Sequence, residues 1–201
     1  RVTGEPVWPI EERPVSQSNV PGEQVSPTQP FPTRPDPFDR QGVSGDDLLD
    51  FTPELNAEAR RIASEYQLGP IFTPPILAGA NGRRALLMLP QMTGGANWQG
   101  GAVDADTGVL YVASATNPTV AGLTNDTDRS TMNYISGGVR RRGRAAAAPQ
   151  GCGEIGPLGL PLIKPPWGRI TAIDLNSGDH IWMIPNGDTP DCVKNHPALS
   201  G

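Results

Sequence analysis

The sequence predicts an all-β fold made of short, repeated hairpins that are joined by long loops. Glycine and proline account for 24 and 23 of the 201 residues, so regular elements must be short and often interrupted. A hairpin pattern also recurs three times along the chain. Short apolar segments bounded by glycine, proline or aspartate are predicted to be strands, and they cover residues 84–89, 101–103, 109–114, 169–175 and 180–184.

Two long segments outside these strands are predicted to be irregular. Residues 1–46 are rich in proline and show little periodicity, which indicates a loop or an extended segment that crosses a larger structure. Residues 115–160 are predicted to form a long surface insertion. Its basic run at residues 140–144 favours a solvated loop over a nucleic-acid site, because the chain is acidic and no aromatic residues interleave the arginines.

One helix is predicted over residues 53–66. Thr52 can cap its first turn, and Pro53 stands at the first helical position, where a missing N–H has no cost. Apolar residues at helical spacing give the segment one buried face. At most one or two short helices are expected in the whole chain.

Charge and hydropathy exclude several classes of partner. The net charge is -5 and the pI is about 5.0, so neither nucleic acid nor an anionic membrane surface is expected to bind. The longest apolar runs, such as residues 85–90, are too short to span a bilayer, and the chain itself is expected to be soluble. Cys152 and Cys192 form neither a disulfide framework nor a metal-ligand spacing, and whether they pair is left open.

The recurring pattern carries an alanine, an aspartate, a glycine and a tryptophan at offsets 0, 2, 6 and 10. A second copy keeps the first three residues but has valine in the tryptophan position, and a third, incomplete copy keeps only the last part. The copies are Ala172, Asp174, Gly178 and Trp182; Ala102, Asp104, Gly108 and Val112; and Thr3, Gly4 and Trp8.

Each complete copy predicts one antiparallel hairpin that turns at its glycine, here Gly108 and Gly178, with Val112 and Trp182 buried. A hairpin cannot bury its face alone, so repeated hairpin sheets must stack, and a ring of blades, a β-propeller, hides both faces and edges. The repeats allow about three or four blades, fewer than a closed ring needs, so the other blades are expected from residues outside this chain.

This hairpin resembles the tryptophan-docking motif of pyrroloquinoline quinone (PQQ) dependent quinoprotein dehydrogenases of the membrane-bound glucose or quinate dehydrogenase type. Four further blocks are similar to this family, in the same order: residues 26–31, 72–75, 94–98 and 165–168. The resemblance covers essentially the whole chain. It implies that residues 1–201 are an incomplete part, towards the C-terminal end, of an eight-bladed β-propeller domain.

The resemblance also implies an activity. Members of this family oxidise a sugar, polyol or alcohol with PQQ and a divalent cation, calcium or magnesium. They pass the electrons to membrane ubiquinone, on the periplasmic side of the inner membrane. Attachment to that membrane is expected through parts absent from this chain. The family's catalytic aspartate and lysine are expected before Arg1, so the chain alone is expected to be inactive. The alternative is a non-catalytic propeller scaffold that binds proteins in the cell envelope.

Asn97 and Trp98 are the candidate cofactor-binding residues. The glycines before them allow close backbone approach, the asparagine amide can donate and accept hydrogen bonds, and the indole can pack against a flat ring. A turn with a core tryptophan remains the alternative. Four other polar residues, Asp104, Asp174, His180 and His196, are predicted to be structural, Trp167 is predicted to pack, and no metal site is expected within this chain.

Overall fold

The computed structural model describes residues 3–98, 100–137, 153 and 155–199. Within these residues the chain has twelve strands and two α-helices. The strands are β1 (Ile10–Pro14), β2 (Thr28–Pro32), β3 (Gly42–Val43), β4 (Gly69–Pro70), β5 (Ile76–Leu77), β6 (Leu86–Met88), β7 (Gly101–Asp104), β8 (Val109–Ala115), β9 (Thr119–Thr124), β10 (Ile135–Ser136), β11 (Gly168–Asp174) and β12 (His180–Pro185), and the helices are α1 (Pro53–Ala63) and α2 (Asp191–Lys194).

The largest regular unit is an antiparallel sheet in the order β7-β8-β11-β12, called the main sheet below. Both predicted hairpins are confirmed: β7 and β8 turn at Gly108, β11 and β12 turn at Gly178, and these glycines have φ values of 71° and 75°. The two hairpins are joined by seven residue pairs between β8 and β11. The two complete copies of the repeat therefore lie in one sheet and do not form two separate sheets.

The segments predicted to be irregular contain strands of their own. In residues 1–46, β1 and β2 form a two-stranded ribbon, and β3 pairs with β4. In residues 115–160, β9 is the centre of a second sheet and pairs with β5, β6 and β10. The basic run at residues 140–144 lies outside the described residues.

Helix α1 begins as predicted, because the Leu55 N–H donates to Thr52 Oγ1 at 3.2 Å and Pro53 opens the first turn. It ends at Ala63, three residues before the predicted end, and Ser64 forms the C-cap. Its apolar face is buried in the main hydrophobic core. The helix contributes Leu55, Ala59, Ile62 and Ala63 to this core, which other elements complete with Leu48, Leu49, Leu87, Leu160, Leu162 and Ile163.

One face of the main sheet is covered by the N-terminal segment. Thr171 and Ile173 on this face are 0% and 1% exposed, and Val112 opposite Thr171 is buried, as predicted. Contacts run along the face: the Trp8 ring lies against Gly178, the Asp36 carbonyl lies 2.8 Å from His180 Nε2, and the Asp39 carboxylate faces the Arg169 guanidinium. Trp8, which belongs to the incomplete copy of the repeat, thus contacts the turn glycine of a complete copy.

The opposite face is more open, and here one prediction is wrong. Trp182 was expected to be buried but is 38% exposed. It lies on the edge strand β12, where its ring contacts Tyr111 across the sheet with centroids 5.8 Å apart. Trp182 pairs with Ala172 and so lies on the open face of the sheet, where its burial would need a second layer over that face.

Cys192 is disulfide-bonded. The sequence contains one other cysteine, Cys152, which lies outside the described residues. Across the described ranges, both helices are too short and too polar to cross a membrane.

Candidate functional site

One end of the main sheet gathers several parts of the chain. The strand pairing places the start of β7, the end of β8, the start of β11 and the end of β12 at the same end, since Gly168 pairs with Ala115 and Arg169 pairs with Pro185. The loop that leads into β7, residues 91–98, therefore reaches this end of the sheet. It carries both residues that the sequence singled out as cofactor contacts.

Backbone hydrogen bonds shape this loop. The Gly94 N–H donates to the Gln91 carbonyl at 2.8 Å, and the Gly100 N–H donates to the Asn97 carbonyl at 2.9 Å. Between these turns, the Gly95 carbonyl accepts from the Ala115 N–H at 2.8 Å, which ties the loop to the end of β8. The loop is thus anchored to the main sheet at its middle residue.

Asn97 and Trp98 follow this anchor in the same loop. Both are exposed, and Trp98 is 96% exposed. Within the part of the chain that the structure describes, Trp98 is therefore not a core residue. The amide of Asn97 and the indole of Trp98 are both flat groups, and their exposure allows them to contact a ligand or another part of a larger protein.

A buried ionic cluster lies directly under the loop. The side chains of Asp39 and Arg169 are each 7% exposed, and Asp39 Oδ1 lies 3.7 Å from Arg169 Nη1. The Thr116 hydroxyl links the pair, because it donates to Asp39 Oδ1 at 2.8 Å and accepts from Arg169 Nη2 at 2.6 Å. The second carboxylate oxygen, Asp39 Oδ2, faces Gly95 so closely that a Cβ on Gly95 would collide with it.

Two arginines of this region hold the proline run before β11. Arg40 donates to the Lys164 carbonyl at 2.8 Å and to the Pro165 carbonyl at 3.0 Å, and Arg169 donates to the Pro166 carbonyl at 3.1 Å. Burial lowers the pKa of the Arg40 guanidinium, and the neighbouring charge of Arg169 lowers it further, while nearby aspartates oppose the shift. The backbone carbonyls of Lys164, Pro165 and Pro166 therefore each accept a hydrogen bond from an arginine guanidinium group.

Four buried polar atoms in this region have no hydrogen-bond partner in the structure, although buried polar groups are nearly always paired. They belong to the ionic cluster and to the covered face of the main sheet. They are Asp39 Oδ2, Arg169 Nε, Ser114 Oγ and Thr171 Oγ1.

The carboxylates of the repeat are turn residues, as predicted. Asp104 accepts from the Thr107 hydroxyl at 2.7 Å and from the Asp106 N–H at 3.1 Å, and these bonds lower the pKa of its carboxyl. Asp174 accepts from the Asn176 N–H at 2.8 Å, which lowers the pKa of Asp174 in the same way. Both lie at the end of the main sheet opposite to Asn97.

The two histidines contact backbone carbonyls of other segments. His180 Nε2 lies 2.8 Å from the Asp36 oxygen, and His196 Nε2 lies 3.2 Å from the Leu158 oxygen. Trp167 donates from its indole to the Ile163 carbonyl at 2.8 Å and packs against the main core, as predicted. Among the described residues, no group of three or more His, Cys, Asp or Glu side chains could hold a metal ion.

Comparison with known proteins agrees with this architecture. Residues 1–200 match the PQQ family model described as "Glucose/ethanol/alcohol dehydrogenase, beta-propeller domain". The chain belongs to this family. The main sheet with its glycine turns, and the Trp8 ring seated on Gly178, are consequently parts of a quinoprotein β-propeller domain.

Curated relatives from several bacteria match nearly the whole chain. A quinate/shikimate dehydrogenase (quinone) of Acinetobacter baylyi is 27% identical over 95% of this chain and 24% of the relative. A quinoprotein glucose dehydrogenase of Escherichia coli is 29% identical over 96% and 24%, and a glycerol dehydrogenase large subunit of Gluconobacter thailandicus is 26% identical over 93% and 27%. The chain therefore spans about a quarter of the length of these quinoprotein relatives.

Sequence reasoning missed the ionic cluster of this family member. Asp39 and Thr116 are 77 residues apart, Thr116 and Arg169 are 53 apart, and no local spacing motif joins them. One signal was present: Arg169 is the first residue of the predicted strand 169–175 and shares a face with Thr171 and Ile173 by alternation. A charge on a buried strand face requires an opposite charge nearby, so this arginine predicts a carboxylate partner without identifying it.

Proposed function

We propose that this chain forms one wall of the cofactor site in a PQQ-dependent dehydrogenase that oxidises a sugar, polyol or other alcohol. The observation that carries the proposal is the placement of Asn97 and Trp98. Both side chains are exposed at one end of the main sheet, on a loop that is anchored to Ala115. A ligand can reach them without disturbing the fold.

The chemistry of these two residues suits the cofactor. PQQ, when bound, supplies a quinone that takes up the two electrons removed from the alcohol. The Asn97 amide would hydrogen-bond a polar edge of this flat molecule, and the Trp98 indole would pack against its ring. Gly94, with a φ of 84°, lets the backbone turn without a side chain that would block this approach.

The substrate class and electron acceptor follow from the relatives by analogy. They are named for quinate, glucose and glycerol, which all carry secondary or primary hydroxyl groups, and one name specifies a quinone. We infer that electrons pass to membrane ubiquinone and that the reaction takes place in the periplasm on an inner-membrane protein. The catalytic base and the ligands of the divalent cation, calcium or magnesium, are expected outside this chain, which alone is expected to be inactive.

The chain would supply part of an eight-bladed ring. The covered face of the main sheet already receives the N-terminal segment, whereas the opposite face presents Tyr111, Trp182 and Ile184 to solvent. A further blade packed on this open face would continue the ring in the manner of Trp8 on Gly178. Closure of the ring would create the central channel at whose end Asn97 lies.

The test is an alanine substitution at Asn97 in the full-length protein that contains this chain. Asn97→Ala should leave the melting temperature unchanged, because the side chain is exposed, and should weaken PQQ binding by about 1 to 3 kcal/mol through the lost polar contact. PQQ titration followed by protein fluorescence measures the affinity. Asn176→Ala, at the other end of the main sheet, is the matched control, and unchanged PQQ affinity in Asn97→Ala would remove the assignment.

A further inference from the structure

The Asp39 carboxylate has two different environments at its two oxygens. Oδ1 accepts from the Thr116 hydroxyl and from the Arg40 backbone N–H, both at 2.8 Å, and it faces Arg169. Oδ2 is buried without a hydrogen-bond partner and lies against Gly95. Oδ1 is therefore held by hydrogen bonds in the protein interior, while Oδ2 contacts Gly95 in the middle of loop 91–98.

We propose that the buried Asp39–Arg169 pair is a positioning unit. It holds loop 91–98 in the position and orientation, relative to the main sheet, in which Asn97 and Trp98 contact the cofactor. This proposal rests on the proposed function, because it assumes that the two exposed residues contact PQQ. Asp39 itself touches neither Asn97 nor Trp98 in this assignment. It acts through Gly95, the residue that also accepts the hydrogen bond from Ala115.

The close approach explains why glycine stands at position 95. Gly94 has a positive φ and needs glycine for conformational reasons, but Gly95 has no positive φ, and its backbone would accept any L residue. The obstacle at Gly95 is the Asp39 side chain, whose Oδ2 and Cγ an added Cβ would meet at less than contact distance. The two neighbouring glycines are thus required for different reasons, and only the second depends on the ion pair.

Burial gives the pair the stiffness that positioning requires. An exposed ion pair contributes little and moves freely, whereas a pair whose side chains are both 7% exposed is fixed by the packing around it. Buried ion pairs are often no more stabilising than apolar residues of the same volume, so their retention calls for another role. Its neighbours Thr116 and Pro166 connect the pair to the ends of β8 and β11.

The experiment uses three variants of the full-length protein: Gly95→Ala, Asp39→Ala and the double variant. Hydrogen exchange of the apo protein reports the order of loop 91–98, and PQQ titration reports the dissociation constant. Gly95→Ala keeps the ion pair, so it tests the loop even if Asp39→Ala folds poorly. Asp179→Ala is the matched control, since it removes an ion pair with Arg34 at the opposite end of the main sheet.

We expect Gly95→Ala and Asp39→Ala each to speed exchange in loop 91–98 and to raise the PQQ dissociation constant roughly tenfold, the loss of about one well-placed hydrogen bond. Gly95→Ala should add little in the Asp39→Ala background, because the collision is gone. Asp179→Ala should change neither quantity.

Wild-type exchange of the loop in both single variants would overturn the positioning role. Faster exchange with unchanged PQQ affinity would also overturn it if Asn97→Ala still weakens PQQ binding. If Asn97→Ala has no effect either, the fault lies in the proposed function and its choice of cofactor contacts.

Discussion

The contact between Trp8 and Gly178 makes a substitution at this glycine the sharpest test of the architecture. Gly178 has a φ of 75°, and a Cβ added there would lie 2.9 Å from Trp8 Cζ2 and 3.0 Å from Arg34 Cβ. Gly178→Ala therefore meets two separate penalties, one from the backbone and one from packing. Gly187→Ala meets only the first, because Gly187 has a φ of 88° and nothing lies within 4 Å of its added Cβ.

The two penalties can be estimated from the structure. A non-glycine residue in the left-handed region costs about 1 to 3 kcal/mol, and this cost should be common to both variants. Displacing the rigid indole of Trp8 from the turn should add about 1 to 3 kcal/mol in Gly178→Ala alone. Gly178→Ala is thus expected to destabilise the protein by roughly 2 to 6 kcal/mol, and Gly187→Ala by half of this or less.

A double-mutant cycle isolates the docking contact. Guanidinium unfolding of the full-length protein, followed by circular dichroism, would compare Gly178→Ala in the wild type and in a Trp8→Ala background. Without the indole, the part of the packing penalty that Trp8 causes should disappear, and the cost should fall towards that of Gly187→Ala, with the contact to Arg34 Cβ remaining. Equal costs for Gly178→Ala with and without Trp8 would refute the claim that this tryptophan docks on this glycine.

Two further predictions concern the main sheet. If a blade covers the open face in the closed ring, Trp182→Ala should cost about 3 to 5 kcal/mol in the full-length protein, and a loss under about 1 kcal/mol in chemical unfolding would argue against closure at this face. The lowered pKa of the Asp174 carboxyl means that its charge stabilises the fold at any pH above the ordinary value of 3.8, and that this contribution is lost as pH falls through the lower, folded value. The melting-temperature gap between wild type and Asp174→Asn should therefore close below pH 3.8, and a gap that persists in acid would contradict this role.

The hairpins were predictable because their signals are local. An aspartate, a turn glycine and a large apolar residue within eleven positions specify the turn and both strands. The structure has the hairpins at Gly108 and Gly178 that this pattern predicts. The pairing of β8 with β11 was not predictable, because alternation sets which face of a strand is buried but does not name its partner. Trp182 was misjudged for the same reason, since its burial depends on a neighbour that no local pattern reveals.

Residues 1–46 contain more strand pairing than their prolines indicate. Pro14, Pro30 and Pro32 argue against a central strand, yet they lie in the ribbon of β1 and β2, where each strand has a free edge that needs no N–H. The candidate site likewise has one part with a local sequence signal and one part without. Asn97 and Trp98 were found as neighbours in the sequence, whereas the Asp39–Arg169 pair is made by distant segments and appears only in three dimensions.

The way in which the N-terminal segment covers the main sheet has a consequence for synthesis of the protein. Arg34 pairs with Asp179 and Asp36 with His180, across 145 and 144 positions of sequence. Contacts of such separation slow folding, because a long loop must close before they form. At a translation rate of about 5 to 20 residues per second, the segment emerges roughly 7 to 30 seconds before its partner hairpin. During that time the segment lacks the sheet that it covers in the folded domain, so its contacts with the last hairpin can form only late in synthesis.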